Sequence, residues 1–397
     1  MFTITFLFEE GEPVSISAIA GEKLLDVAKK ANVAIDAPCS GNGVCGKCRV
    51  RLVSGYLDAP INRHITTEEY NAGWRLACLA QISGNAEIAV PDIANAYRSR
   101  MKIADLDSPE EVAIFQDLCS QLMEAGFTMD SDLSFLPLDL AEPTLEDTMP
   151  DTERVLRAVE RATGVAAQNI MMPYTVLKHL SWVLRESEFR VKCVISRDQD
   201  RILIRDILPA DNTDPIMGFA LDLGTTSLAG VVVDLQTGKI LAKASCGNGQ
   251  IRYGADVINR IIESDKAGGR KRLQDAVVKE SIIPMLAQMY RVSGINPRRI
   301  YRMVLAGNTT MNHLALGLYA DPIRMEPFVP SFFHTDYLYV RDIDLKMNRL
   351  AELIVAPNIG SYVGGDITAG ALVSMLWNSP EMSLFIDLGT NGELVFG

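Results

Sequence analysis

Four cysteines, Cys39, Cys45, Cys48 and Cys78, follow the spacing C-x5-C-x2-C-x29-C. Three thiolates on one short, glycine-laced loop can wrap a small inorganic core, and a fourth closes the shell from a distant segment. Gly41, Gly43 and Gly46 let backbone N–H groups approach the sulfurs, and such hydrogen bonds tune reduction potential. The pattern points to a [2Fe–2S] cluster, a carrier of single electrons. Structural zinc is the alternative, but it usually takes two close C-x2-C pairs and only Cys45–Cys48 is one. Disulfides would require export, whereas residues 2–8 alternate like a strand and acidic residues follow, unlike a signal peptide. Cys119, Cys193 and Cys246 are isolated and read as small buried apolar residues.

A second pattern occurs twice, 165 positions apart. Gly218 to Ser227 ends an apolar run in Asp222-Leu-Gly224-Thr225-Thr226-Ser227. Leu384 to Glu393 does so in Asp387-Leu-Gly389-Thr390-Asn391-Gly392. Each copy reads as a buried strand, a tight turn and a returning strand. Such a turn offers a row of backbone N–H groups for an anion, and its hydroxyls can follow phosphate oxygens. The aspartate at the strand end can hold water on Mg²⁺. A single copy is weak evidence, since hairpins use Asp and Gly for conformation alone; the duplication points to a two-lobed phosphate clamp. Val363-Gly364-Gly365-Asp366 is a further glycine-rich turn before a helical pattern, and Asp366 reads about equally as a helix cap or a cleft residue. Asn308 and the threonines of Gly307-Asn308-Thr309-Thr310 read as helix caps slightly ahead of direct ligand contacts.

The positioning elements follow from periodicity. Residues 1–94 predict a hairpin (Thr3–Phe8, Val14–Ala18), a helix (Lys23–Ala31), the cysteine loop, a strand (Arg49–Val53) and a last strand (Ala86–Val90). Tyr70 and Trp74 are expected to pack beside that unit's core, and Arg49 and Arg75 to be solvated rather than to meet the cluster loop's charge. A helical stretch running to about Gly126 follows. The Asp-, Pro-, Ser- and Thr-rich segment to Pro150 completes a linker, placed at 95–150. Residues 151–212 predict a small α+β middle domain with two helices (Thr152–Thr163, Tyr174–Glu186) and two strands (Phe189–Ser196, Arg201–Leu208), suited to spacing and docking. From 213 to 397 strands and helices alternate.

A formal net charge of −12 over 397 residues argues against nucleic acid as a partner. With 48% hydrophobic and 22% charged residues the chain can build several cores, yet no apolar run is long enough to span a bilayer. Unpaired cysteines beside an iron–sulfur site fit a cytoplasmic protein.

Three resemblances attach to these residues. Residues 1–94, by cysteine spacing and element order, resemble a β-grasp ferredoxin of the adrenodoxin-like class. The repeated Asp-Leu-Gly-Thr turns resemble the phosphate-1 and phosphate-2 loops of the acetate and sugar kinase, heat-shock ATPase and actin superfamily. Its ribonuclease-H-like lobes close over ATP. That resemblance implies Asp222 and Asp387 as the residues that hold Mg²⁺ or orient water. Gly224, Thr225, Thr226 and Ser227 would clasp the phosphates from one side, and Gly389, Thr390, Asn391 and Gly392 from the other, with Gly365 and Asp366 facing the same cleft. The superfamily's adenosine segment lies beyond phosphate-2, so the 213–397 domain is expected to be incomplete. The combination, with Gly307-Asn-Thr-Thr-Met311, resembles the reductive activators of corrinoid enzymes. It implies a multidomain α/β and α+β protein with a [2Fe–2S] cluster, ATP and Mg²⁺. Its partners would be a corrinoid protein of a methyltransferase system and an upstream electron donor, and a homodimer is compatible. The implied reaction is ATP-dependent one-electron reduction of Co(II) to Co(I). The alternatives are a small-metabolite kinase with a redox-sensing cluster, and a ferredoxin-type carrier with a degenerate docking domain.

Overall fold

The computed structural model describes residues 1–397 except 9–12, 32, 34, 36, 38–42, 44–45, 92–108, 129–130, 255, 336–337 and 389–391. In the first unit, β1 (Phe2–Leu7) and β2 (Val14–Ala18) form a hairpin, followed by α1 (Leu24–Lys30), β3 (Arg49–Asp58), α2 (Thr67–Asn71), β4 (Trp74–Leu76) and β5 (Gln81–Ala89). The sheet order is β2-β1-β5-β3-β4, with β1 and β5 parallel at its heart. Strand β5 alternates strictly: Ile82, Ala86 and Ile88 are buried, Ser83, Asn85 and Glu87 exposed. Leu24, Leu25, Val27 and Ala28 of α1 join Ile4, Phe6 and Ile88 in one core, completing the expected β-grasp.

The second unit follows α3 (Pro109–Glu124). It contains β6 (Leu133–Asp139), α4 (Asp151–Thr163), β7 (Ile170–Met171), α5 (Tyr174–Glu186), β8 (Arg190–Asp198) and β9 (Arg201–Pro209), in sheet order β6-β8-β9-β7. Strand β6 lies inside the segment that composition assigned to a linker. It pairs antiparallel with β8 from Leu133 opposite Ser196 to Asp139 opposite Arg190. Pro137 disguised it, but β6 is an edge strand, where a missing N–H is tolerated.

The third unit contains β10 (Met217–Leu223), β11 (Ser227–Asp234), β12 (Ile240–Gly247), α6 (Val257–Asp265), α7 (Gly269–Val277), α8 (Ile283–Ser293), β13 (Ile300–Ala306), α9 (Thr309–Ala315), α10 (Asp321–Arg324), β14 (Glu352–Val355), α11 (Gly365–Val373), β15 (Leu384–Leu388) and β16 (Gly392–Phe396). Its sheet runs β12-β11-β10-β13-β14, antiparallel across the first three strands and parallel from β10 to β14. Strands β15 and β16 form a separate hairpin. The expectation of a buried strand at 384–388 is corrected here. Leu384, Ile386 and Leu388 face outward, whereas Phe385 packs against Gly370 of α11. A two-stranded sheet covered on one side buries only alternate residues.

The second and third units share a polar seam that the sequence did not reveal. Asp206 of β9 is buried and accepts hydrogen bonds from Tyr301 Oη (2.9 Å), in β13, and from Arg299 Nη1 (3.0 Å), just ahead of that strand. Arg302 grips Asp132, just ahead of β6, with both terminal nitrogens at 2.7 and 3.0 Å, and reaches Glu352 at 2.9 Å. Buried Arg205 completes the seam by donating to Leu350 O at 2.9 Å and pairing with Glu352.

Candidate functional site

The first centre lies at the rim of the β-grasp unit. Cys48 and Cys78 are buried with their sulfurs 3.2 Å apart, too far for a disulfide at about 2.05 Å. Tetrahedral thiolates about 2.3 Å from one metal sit roughly 3.8 Å apart, so this pair needs only a small adjustment to share a metal core. Ala77 N donates to Cys48 O at 2.8 Å and ties the two segments together. Gly43 and Gly46 have φ of +74° and +68°, and a Cβ at Gly46 would lie 2.7 Å from His64. The loop is therefore glycine-rich for both conformation and close approach. Cys39 and Cys45 lie outside the described residues. Arg49 and Arg75, expected to be solvated, are held instead: Arg49 pairs with Glu69, and Arg75 donates to Tyr70 O at 2.6 Å. Tyr70 and Trp74 pack on the core as expected.

The second centre forms where β10, β13 and β14 end. A Cβ at Gly364 would meet Gly307 O at 2.3 Å, and one at Gly307 would meet Leu223 O at 2.8 Å, so three loops are pressed backbone to backbone. Gly365 N donates to Gly307 O at 2.8 Å. Asn308 caps α9 by accepting from Met311 N at 2.9 Å, as expected of a cap, and its Nδ2 also donates to Thr225 Oγ1 at 3.3 Å. Thr225 is buried, and Thr226 and Ser227 lead into β11. Gly224 admits no side chain, because a Cβ there would lie 2.5 Å from Ser227 O.

Carboxylates face this platform. Asp222 remains open to solvent yet sits deep among neighbouring groups. Desolvation first, then repulsion from Asp366 and Asp387, pushes its carboxyl up to about 6. Asp366 is not the cap of α11; that position is Gly364. Burial and the charge of Asp387 hold Asp366 above its ordinary range. Glu393, not singled out from sequence, stands directly opposite Asp387 across the hairpin and is raised by burial, Asp366 and Asp387. Facing like charges destabilise a strand pair. Gly392 opens β16, while Gly389, Thr390 and Asn391 lie outside the described residues. Sequence reasoning also missed Arg260 and Asn248, which back the 224–226 loop. An arginine inside the apolar run Val257-Ile-Asn-Arg260-Ile-Ile was the available signal.

Residues 7–83 match the 2Fe-2S iron-sulfur cluster binding domain, residues 123–214 the RACo linker region and residues 217–379 the RACo middle region. Fold and site thus define a multidomain α/β protein headed by a [2Fe–2S] ferredoxin domain. Together the three regions cover most of the chain and give it the domain order expected of the reductive activators of corrinoid enzymes. It is similar to the corrinoid activation enzyme RamQ of Eubacterium limosum, 30% identical over 400 residues, covering 98% of this chain and 58% of RamQ. A solved reductive activator for corrinoid, iron-sulfur protein matches with TM-score 0.59 and 29% identity, covering 100% of this chain and 61% of that one. Over 91 residues the chain is also 35% identical to a component of the Na(+)-translocating NADH-quinone reductase of Yersinia pestis, covering 22% of each chain. The chain spans about three fifths of the length of the two relatives it matches throughout. No helix among the described residues is long and apolar enough to cross a membrane.

Proposed function

We propose that the chain works in ATP-dependent reductive activation, passing one electron from a [2Fe–2S] cluster to the Co(II) corrinoid of a methyltransferase-system protein and restoring Co(I). The observation that carries this reading is one polypeptide holding both the paired Cys48 and Cys78 sulfurs and a ring of mutually repelling carboxylates over a glycine-rich loop platform.

Cys39, Cys45, Cys48 and Cys78 would hold the cluster, which supplies one-electron transfer when bound. Gly224 to Ser227 and Gly389 to Gly392 would grip the outer phosphates of ATP. Mg²⁺ keeps several waters and takes one or two carboxylates plus phosphates. Asp222, Asp366 and Asp387 would hold those waters, and the cation would relieve their repulsion.

Plant-type [2Fe–2S] centres sit near about −400 mV, and the Co(II)/Co(I) couple lies lower, so the electron moves uphill. Each ~59 mV costs a factor of ten for one electron. Nucleotide can offset this only by binding one state of the activator–partner pair better than the other. The test is anaerobic spectroscopy of the reduced chain with a corrinoid protein, with and without MgATP. The Co(I) band should appear only with nucleotide, while cluster reduction proceeds without it. Equal Co(I) yield in both arms rejects ATP dependence.

A further inference from the structure

We propose that Arg260 is a positioning residue for nucleotide phosphates: with Asn248 it holds the carbonyls of the 224–226 loop inward, so that the loop's N–H groups face outward. This rests on the nucleotide-binding reading above and adds a residue to it.

Arg260 projects from α6 and is completely buried. Its Nε donates to Gly254 O at 2.8 Å, its Nη2 to Thr225 O, and its Nη1 points at Gln250 Oε1 at 3.4 Å. Asn248 Nδ2 donates to Gly224 O at 2.8 Å, and Asn248 N donates to Thr226 O at 2.9 Å. Three successive carbonyls are therefore turned toward the protein. A trans peptide sends the next N–H the opposite way, so those of Thr225, Thr226 and Ser227 point away from the core. Successive outward N–H groups make a nest for an anion.

The charge behind the nest matters as well. Among the described residues, the one carboxylate whose charge Arg260 feels is Asp256, which caps α6 through Asn259 at 2.8 Å. Burial pulls the guanidinium below its ordinary value, though it stays a cation at neutral pH. A buried charge with so little compensation is costly. A phosphate across the loop supplies the missing counter-charge, and buried Asn308 fixes the loop's hydroxyl from the side.

Arg260→Lys keeps the charge but loses the fork that reaches several acceptors at once. In the full chain it should weaken ATP binding about tenfold, leave AMP binding unchanged, and speed amide exchange at 224–227. A folded variant with wild-type ATP affinity overturns the proposal. So does an equal loss for ATP and AMP, the mark of a general structural role. If the wild type binds no nucleotide, the functional reading falls and this proposal falls with it; if the wild type binds ATP, faster loop exchange must accompany the ATP-selective loss, and unchanged exchange rejects the positioning role. Should Arg260→Lys fail to fold, Asn248→Asp serves, keeping the cap on Gln250 N while removing the donor to Gly224 O. It should show the same ATP-selective loss, and wild-type ATP affinity there refutes the idea.

Discussion

Asp222 carries a carboxyl raised to about 6, with desolvation as the largest cause and the charges of Asp366 and Asp387 next. Mg²⁺ needs the ionised form, so MgATP affinity should fall as pH drops below about 6, by up to tenfold per unit for one proton. Titration calorimetry on wild type and Asp222→Asn checks this; the variant should bind weakly at every pH. Folding stability depends on pH in the opposite sense. The folded state holds this proton more tightly than the unfolded one, so stability from Asp222 is present at about pH 4 and is lost as pH rises through 6. Asp222→Asn should therefore raise Tm at pH 7 and leave it unchanged near pH 4. At the other centre, Cys48→Ser and Cys78→Ser should each abolish the visible absorbance of the anaerobically purified protein. Cys193→Ser should keep it, because Cys193 is fully buried in the second unit's core.

Among the elements, the loop platform makes the firmest demand. Gly364→Ala puts a methyl 2.3 Å from Gly307 O and 2.5 Å from Asn308 Cα, and neither backbone atom can swing aside. A loss of about 2 kcal/mol or more is expected by urea denaturation. Gly247→Ala meets nothing within 4 Å and should stay within about 0.5 kcal/mol. These elements differ in how far the sequence exposed them. Helices α4 and α5 carry clear apolar periodicity and lie within a residue of their predicted spans. The cysteine spacing pointed to one candidate centre, of which Cys48 and Cys78 are described, and the duplicated aspartates pointed to the other. Strand β6 stayed hidden because Pro137 and its polar flanks are as compatible with an edge strand as with a linker. Arg260, Asn248 and Glu393 stayed hidden because their importance lies in which backbone groups and charges the fold brings to them, and no local pattern encodes that.

For the whole molecule, the seam ties the second unit to the third through Asp206, Arg302 and Arg205, and the two are expected to melt together. Asp206→Asn leaves Arg299 and Tyr301 facing a neutral amide in a buried position. A cost of roughly 3 kcal/mol is expected, with the shared calorimetric transition splitting in two as the units melt separately. A single transition of unchanged Tm would show that apolar packing alone joins them. Strand β13 gives this seam a wider meaning. Arg302, which grips Asp132 where the chain enters the second unit, and Ala306, which leads into the Gly307–Asn308 corner, belong to that same strand. Seven residues at about 3.3 Å each make a rod of about 20 Å, clamped between β10 and β14. The seam and the Gly307–Asn308 corner therefore hang on one strand, across a ladder that is interrupted on the β10 side between Ile300 and Arg302.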